Sequence, residues 1–134
     1  FIFKLYLLKT KKRKYNMTIN KININEYTVE ELIQIKENAL SCGQSAALQY
    51  LEENGEDPYC GFAWVNIYGI KGSTTLGRRM KKAGFEKDYS GAYSIWNPSG
   101  LGTQSMSVKE AGAIAASQVF KQANFQCYAG SRAD

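Results

Sequence analysis

A chain of 134 residues, 44% hydrophobic and 22% charged, has room for one compact domain and the composition of a folded globular protein rather than a disordered or fibrous one. The formal charge is +5, but residues 1–16 hold six lysines and arginines and no acid, leaving 11 basic residues against 12 acidic ones. Any basic character therefore lies in the first 16 residues and not in the body.

Those residues, FIFKLYLLKTKKRKYN, are written almost wholly with Phe, Ile, Lys, Leu, Tyr and Asn, whose codons A and T alone can spell. With Met17 as the first available start, residues 1–16 read as an upstream open frame or a disordered basic tail, and 17–134 as a single domain. A signal peptide is disfavoured: the apolar run precedes the basic residues, is short, and no small-residue cleavage site follows. Cys42, Cys60 and Cys127 are an odd number without a C-x-x-C pair, so reduced, buried thiols in a cytoplasmic protein are expected. No run has the length of a membrane-spanning helix.

In chain order, MTINKININ alternates Ile22 and Ile24 with polar residues and predicts a short edge strand. Thr28 followed by Glu31 is a capping box, and a long helix follows. Leu32, Ile35, Ala39, Cys42, Ala46 and Tyr50 form one stripe of it, with Ile33, Leu40, Ala47 and Leu51 beside them. Gly55 and Pro58 end it. YCGFAWVNIY is apolar on both alternating faces and predicts a central strand covered on both sides, burying Cys60 and Trp64. GIKGST leads into a short helix over 76–83, with Leu76, Met80 and Ala83 inward and Arg78, Arg79, Lys81 and Lys82 outward, closed by Gly84.

SGAYSIWNP predicts the next strand, stopped by Pro98, and NPSGLGTQ a loop. Ser107 and Glu110 form a second capping box, opening a helix in which Val108, Ala111, Gly112, Ala115 and Val119 face the sheet closely. Asn124 ends it, and FQCYA is the last strand. The fold class is α+β: a three- to four-stranded sheet packed by a long N-terminal helix and an Ala/Gly-rich C-terminal helix, in the order (β)αβαβαβ.

There is no histidine, which excludes Ser-His-Asp and Cys-His catalysis and His-ligated metals. No catalytic motif, cofactor or metal site is expected. The nearest motif is GSTTLGRR, residues 72–79, between a strand and a helix. It is similar to the phosphate-cradling G-x-x-x-x-G-K-[ST], but Arg78 stands in the Lys position and Arg79 in that of the Mg²⁺-binding hydroxyl. Gly72, Ser73, Thr74, Arg78, Arg79, Lys81 and Lys82 are therefore the candidate anion or partner surface. The aromatic surplus of Tyr59, Trp64, Tyr68, Tyr89, Tyr93, Trp96 and Tyr128 on or beside strands reads first as core and second as a base-stacking surface.

CGFAWV, YSIWNPSG, QSMSVKEAGAIAA and CYAGSRAD together resemble small uncharacterised proteins of tailed phages, especially marine ones, over roughly residues 40–134. The resemblance implies a phage accessory protein acting in a bacterial host and carries no active-site residue with it. The expected function is non-catalytic binding of a host or phage protein. The alternatives are nucleic-acid binding through the basic helix 76–83, or a small enzyme with an anion site at 72–79.

Overall fold

A computed structural model describes residues 21–134. The helix announced by Thr28 is α1, Val29–Asn54; Thr28 Oγ1 accepts from the Glu31 amide and Glu31 Oε1 from the Thr28 amide, the reciprocal capping box. Strand β1, Gly61–Tyr68, leads through a short helix α2, Thr75–Lys82, into a two-residue strand β2, Glu86–Lys87, and then β3, Tyr93–Trp96. Helix α3, Met106–Gln122, and strand β4, Gln126–Ala133, complete the chain. α2 and α3 both end in Schellman turns: Gly84 (φ 94°) with Phe85 N–H donating to Met80 O, and Asn124 (φ 72°) with Phe125 N–H donating to Phe120 O.

The sheet is antiparallel throughout, in the order β2-β3-β1-β4. β3 and β4 are thus parallel to each other but flank β1 rather than touching, so β3-α3-β4 is a split β-α-β unit. With β1-α2-β2 before it, the connectivity is that of a ferredoxin-like β-α-β-β-α-β arrangement preceded by α1. The fold is α+β, as expected, with a short strand β2 that sequence reading passed over. The expected N-terminal strand is absent among the described residues: Ile24–Glu26 is one 3₁₀ turn and Ile22 is 96% exposed. Residues 17–20 of that expectation, and the whole of 1–16, lie outside the described residues.

α1 and α3 pack against each other and share one core with one face of the sheet. Its centre holds Leu32, Ile35, Val65, Ile67, Met80, Ile95, Phe120 and Phe125. Tyr27 is fully buried there, donating its hydroxyl to Ala123 O at 2.7 Å and stacking on Phe125. Glycine sets how closely the helices approach. A side chain on Gly43 would meet Pro98 O at 2.6 Å and Gly112 O at 2.9 Å, and one on Gly112 would meet Ser99 Cα at 2.7 Å. Gly112 therefore faces α1 and the Pro98–Ser99 turn, not the sheet; Ala113, Ala116 and Phe120 belong to the core that α3 shares with the strands. Ala111 and Val119 are only half-buried.

Two further expectations are corrected. α3 is capped by Ser105, whose Oγ accepts from the Val108 amide, while Ser107 donates to Asp57 Oδ2; Glu110 accepts from Ser131 Oγ. The second capping box is thus not formed, because both of its side chains have tertiary partners. And β1, though central, is covered on one face only among the described residues.

Candidate aromatic sheet face

Along β1 the side chains alternate in kind as well as direction. Gly61, Ala63, Val65 and Ile67 are small or aliphatic and buried; Phe62, Trp64, Asn66 and Tyr68 are aromatic or polar and point away from the helices. The antiparallel register extends that outer face across the sheet. Trp64 lies opposite Trp96 of β3 and Gly130 of β4; Asn66 lies opposite Ser94 and Tyr128; Phe62 lies opposite Arg132 and Tyr68 opposite Gln126. The result is a face of five rings and several polar groups that holds no aliphatic side chain among the described strand residues.

Trp64 and Trp96 are the chain's two tryptophans. Their ring planes are parallel to within 2°, with centroids 5.7 Å apart. Phe62 packs on Trp96 at 5.5 Å and Tyr68 on Tyr128 at 5.9 Å. Trp96 and Tyr128 are each 59% exposed. Gly130 seats Trp64: a Cβ there would lie 2.6 Å from Trp64 Nε1. Cations stand at the rim. The Arg132 guanidinium lies 5.7 Å from the Phe62 centroid and Lys121 Nζ 5.8 Å from that of Tyr128, while the buried Lys109 Nζ lies 5.3 Å from the Phe62 centroid. Lys109 also donates to Gly61 O at 2.9 Å, which places its charge at the start of β1.

Beside the tryptophans is a hollow of about 310 Å³, lined among others by Trp64, Asn66, Trp96, Arg132 and the Asp88–Ser90 turn. Asp88 Oδ1 accepts from the Ser90 hydroxyl and from the Ser90 and Ala92 amides, and the Ser90 hydroxyl above all holds this carboxyl below the usual carboxylate range. Tyr89, at the tip of the turn, is fully exposed. Asn66 Nδ2 donates to Tyr68 Oη, while Asn66 Oδ1 is buried without a partner among the described residues.

The sequence-predicted site at 72–82 is elsewhere, bordering a groove of about 620 Å³ between α2 and β2 that Gly72, Arg78, Lys81, Lys87 and Tyr93 help to line. Its groups are engaged locally. Thr74 caps α2, accepting from the Gly77 amide at 3.0 Å, and donates to Lys71 O. Arg78 Nη1 donates to Ser73 O; Arg79 Nη1 donates to Asn25 O and Tyr27 O, tying the 3₁₀ turn to α2. Lys81 and Lys82 are exposed. At Gly77 a Cβ would meet Lys71 O at 2.2 Å, so a carbonyl oxygen, itself an anion's repellent, stands against the second glycine of the motif. The turn brings Gly72, Ser73, Thr74 and Arg78 together but presents them folded on themselves.

Of the seven aromatics singled out in the sequence, Tyr93 alone is core, at 2% exposure; the core reading of the others is corrected. Trp64 is half-buried on the outer face and Cys60 is exposed, against the expectation for both. Cys42 and Cys127 are buried, and burial pushes each thiol up to about 11. Among the described residues no group of three or more His, Cys, Asp and Glu is placed to hold a metal, and no helix is long and apolar enough to cross a membrane.

Sequence reasoning missed Asn66, Gly130 and Arg132. The signal was present in the alternation of β1 between small or aliphatic and aromatic or polar residues, which marks two different faces. The segments CGFAWV, YSIWNPSG and CYAGSRAD fall on β1, β3 and β4 and lie side by side in the sheet. No family model, curated protein or solved structure matches the chain.

Proposed function

We propose that this protein binds single-stranded nucleic acid by stacking bases on the open face of its sheet. The observation that carries the reading is the parallel Trp64–Trp96 pair on adjacent strands, extended by Phe62, Tyr68 and Tyr128 and rimmed by Arg132 and Lys121. Exposed rings on the central strands of a four-stranded antiparallel sheet offer π-faces to unstacked bases, each worth about 1–3 kcal/mol. Asn66, Ser94, Arg132 and Gly130 stand between the rings, polar or small groups that leave the ring faces open to a planar base. Because the body lacks net positive charge, stacking contributes more to binding than phosphate attraction does. With the likeness to phage proteins, the reading is of a non-catalytic accessory protein in the cytoplasm of a bacterial host.

Both tryptophans report directly. Titrating the chain with a short single-stranded oligonucleotide is expected to quench intrinsic fluorescence saturably, and Trp96→Ala to weaken binding while Trp64 still reports. Salt dependence is expected to be shallow, with a slope of about −0.7 per phosphate contacted and so about −1.4 for two rim cations. Unchanged fluorescence with single strands, or equal affinity for duplex, counts against the reading. The protein-partner reading has one observation in its favour, the exposed Ile33, Leu40 and Leu48 spaced along α1.

A further inference from the structure

We infer that the hollow beside Trp64 and Trp96 is a base-reading pocket that selects bases carrying an exocyclic amino group; this rests on the stacking reading above. The hollow is lined by donors, among them Arg132 and the two indoles, and by two acceptors, Asn66 and Asp88, that face no described cation. Asn66 Oδ1 is buried without a partner among the described residues, although its own amide nitrogen is engaged by Tyr68. A buried carbonyl oxygen left unpaired is destabilised, and a ligand N–H that reaches it relieves that cost. The Asp88 carboxylate, held ionised on the same rim by Ser90, adds negative potential that again favours a donor. Trp64 and Trp96 supply the wall against which a planar ring packs, and Arg132 lines the hollow as its cation, suited to the phosphate of a stacked nucleotide.

Cytosine and uracil test this cleanly. They are the same size and stack on the same wall, but cytosine presents an amino donor at C4 where uracil presents a carbonyl acceptor. Against Asn66 Oδ1 the first makes a hydrogen bond, and the second sets two oxygens against each other. Loss of a donor at a site built around an acceptor is penalised more heavily than a change of shape, because the acceptor is left buried and unpaired.

The experiment is a fluorescence titration of the full chain with oligodeoxycytidylate and oligodeoxyuridylate of equal length, at slightly alkaline pH so that cytosine stays neutral. Oligodeoxycytidylate is expected to bind about tenfold tighter or more, the discrimination one well-made base contact supplies. Asn66→Ala, checked for an unchanged melting temperature or a higher one, is expected to abolish the preference, with affinity for oligodeoxycytidylate falling and that for oligodeoxyuridylate equal to the parent's or higher. Equal affinities in the parent chain, or a preference that survives in Asn66→Ala, overturn the pocket and leave the stacking face standing. Failure of both oligonucleotides to bind overturns the stacking face and the pocket with it.

Discussion

Gly130 and Trp64 illustrate how one missing side chain sets a surface. With Trp64 Nε1 2.6 Å from where a Cβ would stand, Gly130→Ala drives the indole off its seat on β4. No described residue covers that face, so the ring has somewhere to go. The expected outcome is a changed near-UV dichroism and weaker oligonucleotide binding, with secondary structure retained. Asp57 makes a separate test at this scale. Its carboxylate accepts from the hydroxyls of Ser105 and Ser107, tying the α1–β1 connection to the start of α3, and those bonds, Ser105 first, hold its carboxyl below the usual range. A depressed folded value means that the stabilisation is present above the unfolded value of about 3.9 and is lost as pH falls through the folded one. Asp57→Asn should therefore melt earlier than the parent at neutral pH, with the gap closing below about pH 4. A gap that widens on acidification would contradict the assigned bonds.

Among the elements, the α1–α3 contact is the most exacting. Gly43 and Gly112 bring backbone against backbone, and the atoms that a new Cβ would strike are carbonyl oxygens and Cα, which cannot rotate aside. Gly43→Ala, whose Cβ would strike Gly112 O of α3 and Pro98 O, is expected to cost about 1–3 kcal/mol by overpacking, read from denaturant unfolding. An unchanged midpoint would mean that the helices are not so close. For α2 the expectation is the reverse. Lys82 is exposed and Arg78, exposed too, bonds the nearby Ser73 carbonyl, so the double reversal Arg78→Glu with Lys82→Glu should alter stability by less than about 1 kcal/mol. It should also leave oligonucleotide affinity nearly unchanged, since α2 packs on the helix side of the sheet. A collapse of binding in that variant would restore residues 72–82 as the site.

At these scales the sequence was legible where the signal was local. Thr28 with Glu31, Gly84 and Asn124 mark helix ends through bonds made within a few residues, and the structure makes them. It misled where side chains had distant partners. Ser107 and Glu110 have the spacing of a capping box but bond Asp57 and Ser131, residues that only the tertiary fold brings near. Cys60 and Trp64 look like core by type, yet burial depends on which face of β1 the helices cover. Strand order, and hence the union of Trp64, Trp96 and Arg132 on one face, is a long-range property that no spacing in the chain encodes.

At the scale of the fold, the helices of the described residues lie on one face of the four-stranded sheet, and the opposite face, which no described helix covers, carries both tryptophans. The inward positions of β1 hold Ala63, Val65 and Ile67 and those of β3 hold Tyr93 and Ile95, so both tryptophans fall on the outward positions of their strands. A protein that exposes its largest aromatic rings in register across adjacent strands has a surface suited to planar partners. The most direct test is backbone amide chemical-shift mapping on addition of a single-stranded oligonucleotide. The account predicts saturable shifts concentrated at Phe62, Trp64, Asn66, Trp96, Tyr128 and Arg132, with α1 and α2 quiet. Shifts confined to 72–82, or none at all, would contradict it.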